Sequence, residues 1–257
     1  MNPPKTRTEN RMVDLKTLKK ALSHEARILL HGPEGVGKTT FACGAADAFM
    51  LDLEGGRALN EPLMPQEPKN YPEVLDFINS LVEQDHEYTT LIVDSLDILE
   101  EMVTEYTCQQ KGYSNVTEPG YGKGYADRTA NWKYFWDLLD ALTEQKNMLI
   151  ILVAHSHIVK VEDPVMPAFD KHALHLYKTE AAKACEIVDV IGFCALKSFT
   201  TKDGERNLAK TANQRKIYVR TNPAYTAKNR YSMTEEMPLE WPAFETELRT
   251  KMAKITE

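Results

Sequence analysis

Long apolar runs are missing from this chain. Nowhere do 18 apolar residues follow one another, so no segment reads as a membrane-spanning helix. Cysteine is scarce as well: four residues, Cys43, Cys108, Cys185 and Cys194, stand far apart with no C-x-x-C pair. That excludes a disulfide framework and argues against a structural zinc, as suits a reducing compartment. The opening residues Met1-Asn2-Pro3-Pro4-Lys5 run into polar and charged sequence rather than an apolar core, so no secretory leader is expected and the expected location is cytoplasmic. Internal repeats and low-complexity tracts are absent too.

What is present is an ordinary globular composition, 42 % hydrophobic and 27 % charged over 257 residues, enough for one elaborated α/β domain or two small domains. The net charge of −7 discourages a nucleic-acid reading, but its distribution is uneven. From Lys197 to Arg230, nine Lys or Arg face only Asp203 and Glu205, so this stretch carries +7 and the remainder −14. A basic segment on an acidic body is compatible with phosphate contacts, and equally with a solvated hairpin.

Apolar runs and turn residues divide the chain into a polar segment (1–24), an α/β domain (25–233) and a tail (234–257) with a helix after Ala243. Strands are expected at Arg27–Leu30, Phe49–Leu53, Thr89–Asp94, Met148–Val153 and Val188–Cys194. Helices are expected over Thr39–Ala48, Pro72–Gln84, Ser95–Gln110, Asp127–Glu144 and near Thr179–Cys185. The Pro- and Asn-rich stretch Ala58–Tyr71 and the stretches Gly112–Tyr125 and Ile158–Lys178 read as loops. Strands alternating with helices imply a mostly parallel sheet flanked by helices, closed by a C-terminal antiparallel hairpin before Thr221.

Gly32-Pro33-Glu34-Gly35-Val36-Gly37-Lys38-Thr39 fits G-x-x-x-x-G-K-[ST] between a strand and a helix. Its glycines let backbone N–H groups converge on phosphate, Lys38 reaches the β- and γ-phosphates, and the Thr39 hydroxyl suits Mg²⁺. Asp94 ends an apolar strand 55 residues later, where a carboxylate can hold that ion. Glu54 ends the strand between them, facing the crevice above a parallel sheet. It is placed either to deprotonate a water for attack on the γ-phosphate or to stand as a solvated loop carboxylate. His155 and His157 alternate along one strand face, but no third ligand is in view to make a metal site there.

Gly32-Pro33-Glu34 through Thr40, Asp52-x-Glu54 and Leu91-Ile92-Val93-Asp94-Ser95 resemble, in order and spacing, the RecA-type ATPase core. The resemblance implies a RecA-like P-loop NTPase. ATP would be bound by Gly32, Pro33, Glu34, Gly35, Val36, Gly37, Lys38, Thr39 and Thr40, and Mg²⁺ by Thr39 and Asp94, with Glu54 as catalytic base. Such proteins carry a polar sensor, commonly Gln, at the end of the strand after the metal-holding Asp. Here His155 takes that place, as a γ-phosphate sensor or as a partner within the strand-end cluster. They also reach a neighbour's ATP with a Lys-x-Lys pair, which Lys228 and Arg230 resemble; the alternative is ordinary surface charge.

More narrowly, Tyr121-Gly122-Lys123-Gly124-Tyr125, Ala154-His155 and Ala227-Lys228-Asn229-Arg230-Tyr231 look like the small phage-encoded RecA-like ATPases of the Sak type, over roughly residues 25 to 233. That likeness implies single-stranded DNA binding in recombination or annealing, a homo-oligomer (filament or ring), a single-stranded DNA-binding protein as partner, and the cytoplasm of a bacterial host. Tyr121, Lys123, Tyr125 and Arg128 are the expected DNA contacts, with Ile158–Lys178 as a second loop; either stretch could instead be an ordered surface loop. Competing readings are a P-loop kinase of a small metabolite, against which Glu54 and the lack of an Arg-rich lid count, and a ring-type replication motor or loader.

Overall fold

Strand β1 (Arg27–Gly32) is apolar through its middle because both of its faces are covered. Ile28 and Leu30 point into one buried cluster and Leu29 into another. A computed structural model describes residues 24–55, 66–165, 167–203 and 206–256. The polar N-terminal segment, up to residue 23, and residues 56–65 of the Pro- and Asn-rich loop lie outside the described residues.

In chain order β1 is followed by α1 (Lys38–Ala42), β2 (Ala48–Asp52), α2 (Tyr71–Glu83), β3 (Thr90–Asp94), α3 (Leu96–Lys111) and α4 (Lys123–Gln145). Then come β4 (Leu149–Val161), β5 (Phe169–Leu174), α5 (Lys178–Ile187), β6 (Val190–Asp203), β7 (Arg206–Tyr218), β8 (Lys228–Asn229), β9 (Glu236–Pro238) and α6 (Trp241–Thr256). Among the described residues the sheet runs β2-β3-β4-β1-β6-β7-β9, with β5 on β4 and β8 on β6. The pairs β2–β3, β3–β4, β4–β1 and β1–β6 are parallel; β7, β8 and β9 add antiparallel. The expected α/β class, a mostly parallel sheet flanked by helices with an antiparallel C-terminal hairpin, is what forms.

Alternation along the strands divides the core. Ile150, Leu152 and Ala154 of β4 pack with Val74, Leu99, Trp132 and Phe135 from α2, α3 and α4. Leu149, Ile151 and Val153 pack with Phe41, Trp241, Phe244 and Leu248 from α1 and α6. Burying such side chains contributes about 1.5–3 kcal/mol each. Asn70 caps α2 by accepting from the Glu73 N–H at 3.0 Å, and Pro72 occupies its first turn, where no N–H is needed.

Three expectations are corrected. The helix after the P-loop ends at Ala42, not Ala48, because Ala48 is already paired with Thr90 as a strand. Gly44 follows it where a Cβ would stand 2.5 Å from the Trp241 Cβ, so α6 closes over the turn. The expected loop at 158–178 is largely a hairpin, since β4 runs on past the main sheet to Val161 and pairs with β5. The C-terminal helix starts at Trp241, ahead of the expected start after Ala243, and Trp241, Phe244 and Leu248 are buried against the P-loop helix.

Candidate active site

Register sets the site. Asp52 pairs with Asp94, Asp94 with Val153 and Gly32 with His155, so the C-terminal ends of β2, β3, β4 and β1 meet at one edge of the sheet. This is where a parallel sheet collects ligands.

The loop Pro33–Gly37 leaves β1 there. Gly35 (φ 67°) and Gly37 (φ 102°) take the left-handed backbone that glycine allows, which turns successive N–H groups inward. Lys38 is buried, and its Nζ donates to the carbonyls of Gly32 at 3.1 Å and Pro33 at 3.0 Å, drawing the ammonium across its own loop. Burial lowers its pKa from the ordinary lysine value, partly opposed by Asp94, Glu54 and Asp97.

The Thr39 hydroxyl donates to Asp94 Oδ2 at 2.6 Å. Burial pushes the Asp94 carboxyl up to about 6, against the pull of that hydrogen bond. Next to it, Asp52 accepts from the Gly55 N–H at 2.9 Å through Oδ1, while its buried Oδ2 has no partner among the described residues. A hydroxyl, a carboxylate held against desolvation and an orphaned buried carboxylate oxygen are the hard oxygen donors Mg²⁺ takes. The residues fit such an ion, which Thr39 and Asp94 would hold.

Glu54 stands two residues beyond Asp52, exposed just past the end of β2. Its Oε1 lies 3.5 Å from His155 Nδ1. The same Nδ1 donates to Asp97 Oδ2 at 2.8 Å, and the His155 backbone N–H donates to Asp97 Oδ1 at 3.0 Å. Burial would raise the Asp97 carboxyl, but the combined contacts led by the two hydrogen bonds from His155 hold the group below the usual carboxylate range. Glu54, Asp97 and His155 thus form a cluster whose ligand-type atoms lie within 4.8 Å of one another. The expectation that no further ligand would approach the histidine pair is corrected for His155; His157 turns instead to His175, ring centres 5.3 Å apart.

Asp97 was not legible as a site residue, since an acid in the first turn of a helix reads as a dipole partner. The signal available was its place three residues after Asp94, at the sheet edge where the site forms.

Lys228 and Arg230 lie elsewhere in the chain. Lys228 pairs with Ile191, and Ile191 with Leu29, three residues before the P-loop begins. Its Nζ donates to the carbonyls of Cys185, Glu186 and Val188 at 2.6–3.0 Å, closing the C-terminus of α5. Arg230 holds Asp189 at 2.9 Å and the Glu186 carbonyl at 3.2 Å.

Of the expected DNA contacts, Tyr121 is fully exposed and Lys123 is exposed at the start of α4. Tyr125 stacks on Tyr177, centres 4.5 Å apart, with Arg128 over both rings. Arg128 corrects the expectation: it is 4 % exposed and ion-paired to Glu180 at 3.1 Å and Glu100 at 3.4 Å, so its charge is consumed inside the fold.

A family model described as an AAA domain matches residues 24–231. Among solved structures, the crystal structure of the RadB recombinase is similar at 15 % identity and a TM-score of 0.42, over 76 % of this chain and 80 % of that one. Among curated proteins no sequence matches.

Proposed function

The chain belongs to the AAA domain family of P-loop ATPases, and from that premise we propose that it hydrolyses ATP with Mg²⁺ and binds single-stranded DNA according to its nucleotide state, in recombination or strand annealing, as a homo-oligomer. The observation that carries the hydrolytic half is the Glu54–His155–Asp97 cluster beside the P-loop. The P-loop N–H groups and Lys38 hold the phosphates, and the ion at Thr39 and Asp94 supplies charge neutralisation when bound. Glu54 accepts a proton from a water lined up on the γ-phosphate. His155, held by Asp97, fixes the orientation of Glu54 and answers to the γ-phosphate. Its strand runs on into the β4–β5 hairpin, which gives the nucleotide a mechanical link to a surface element.

The DNA half rests on the exposed Tyr121 and Lys123, an aromatic face next to a cation, and on the likeness of Tyr121–Tyr125 and Ala227–Tyr231 to Sak-type ATPases. A single-stranded DNA-binding protein as partner and a phage origin belong to the same reading. A role for Lys228 and Arg230 on a neighbour's nucleotide would require them to release α5 and Asp189.

ATP turnover by the purified protein, with and without single-stranded DNA, tests the proposal. Stimulation by DNA is expected; turnover indifferent to DNA but driven by a small hydroxylated acceptor would replace it with a kinase.

A further inference from the structure

Arg215 is far from the P-loop in sequence and against it in space. Its Nη1 stands 3.0 Å, and its Cζ 3.6 Å, from the point where a Cβ on Gly37 would lie, so the guanidinium rests on the glycine backbone. The side chain is exposed, and among the described residues no hydrogen bond or ion pair holds it. Beside it opens a hollow of about 550 Å³ lined by Gln214, Arg215, Lys216, Pro238, Leu239 and Glu240. Pairing of Lys216 with Pro238, and a hydrogen bond from the Leu239 N–H to the Arg215 carbonyl at 3.1 Å, build it into the β7–β9 edge.

The sheet order gives the hollow a meaning. Asp94 and Glu54 lie on one side of β1, toward β3 and β2, while β6 and β7 lie on the other. An extended triphosphate seated on the P-loop with its γ-phosphate toward Asp94 and Glu54 leaves the opposite, β6–β7 side for its nucleoside. We propose that this hollow is the nucleoside subsite and that Arg215 reads the base: its flat cation lies along the aromatic face, Pro238 and Leu239 flank it, and Gln214 and Glu240 offer hydrogen bonds to the base edge or ribose. The inference rests on the nucleotide reading of the P-loop.

Titration calorimetry of wild type, Arg215→Ala and Arg215→Lys with ATP and with inorganic tripolyphosphate, in Mg²⁺, separates the two readings. Arg215→Ala is expected to weaken ATP about tenfold and to leave tripolyphosphate within about twofold of wild type. Arg215→Lys, which keeps the charge without the flat face, is expected to stay weakened for ATP. Unchanged ATP affinity in Arg215→Ala overturns the inference, and so does an equal loss for both ligands, which would make Arg215 a phosphate cation. Wild type that binds neither ligand removes the P-loop reading itself.

Discussion

Asp97 grips His155 at two points, accepting from its backbone N–H at 3.0 Å and from its ring Nδ1 at 2.8 Å. A carboxylate can only accept, so this contact makes Nδ1 the donor and fixes the ring plane next to Glu54. On the proposed hydrolysis, Asp97 is a positioning residue that acts on Glu54 through His155.

Asp97→Asn keeps an acceptor for the backbone N–H and removes the acceptor for Nδ1. ATP turnover is expected to fall about 10- to 100-fold, the loss typical of a disrupted supporting contact, with KM and thermal stability little changed. Nitrogen-15 NMR of the His155 ring would show the Nδ1 proton lost. A fall in stability matching the fall in rate would make the contact merely structural.

His31 sits directly beneath the P-loop and makes the fold sensitive to acid. It is fully buried; Nε2 donates to the Thr226 carbonyl at 2.6 Å, so Nδ1 accepts from the Ser156 hydroxyl at 2.8 Å. Burial, with smaller pushes from His172, Lys38 and Lys171, lowers its pKa from 6.5 to about 4. The folded state thus binds the proton more weakly than the unfolded state. The stability this carries is complete above pH 6.5 and is lost as pH falls toward 4, up to roughly 3 kcal/mol. Urea denaturation between pH 7 and pH 4 should show that slope in wild type and a shallower one in His31→Gln; identical slopes would remove His31 as its source.

Tyr121 and Arg128 were expected to act alike and should behave oppositely. Tyr121→Ala should leave stability alone and weaken single-stranded DNA by the roughly 1–3 kcal/mol of one stacked base. Lys123→Ala should lower the salt slope of binding by about 0.7. Arg128→Ala strands Glu100 and the buried Glu180 and should cost about 3–5 kcal/mol of stability. Filter binding and chemical denaturation of the three variants measure this; full DNA affinity in Tyr121→Ala and Lys123→Ala would move the contact surface elsewhere.

The parts of the site that read directly from sequence are those fixed by local chemistry. The P-loop needs glycines and a lysine at set spacing, and Asp94 and Glu54 end apolar runs that only a parallel sheet buries. Long-range neighbours were not legible. Arg215 meets Gly37 only because β7 folds back two strands from β1, and Arg128 sits in an aromatic and basic stretch whose charge is cancelled by Glu100 and Glu180 from other helices. The hairpin at 158–178 was hidden because β4 changes at His155 from buried apolar to alternating polar residues while remaining a strand. The short α1 was hidden because Gly44 and Trp241 must meet before anything marks where the helix stops.

The proposed hydrolysis turns on Glu54 as the base that activates the attacking water. Steady-state hydrolysis by wild type and Glu54→Gln, alongside ATP binding by both, tests it most directly. Turnover is expected to fall by at least about 10²-fold in Glu54→Gln, with ATP still bound at near wild-type affinity. Turnover that survives the substitution would contradict it.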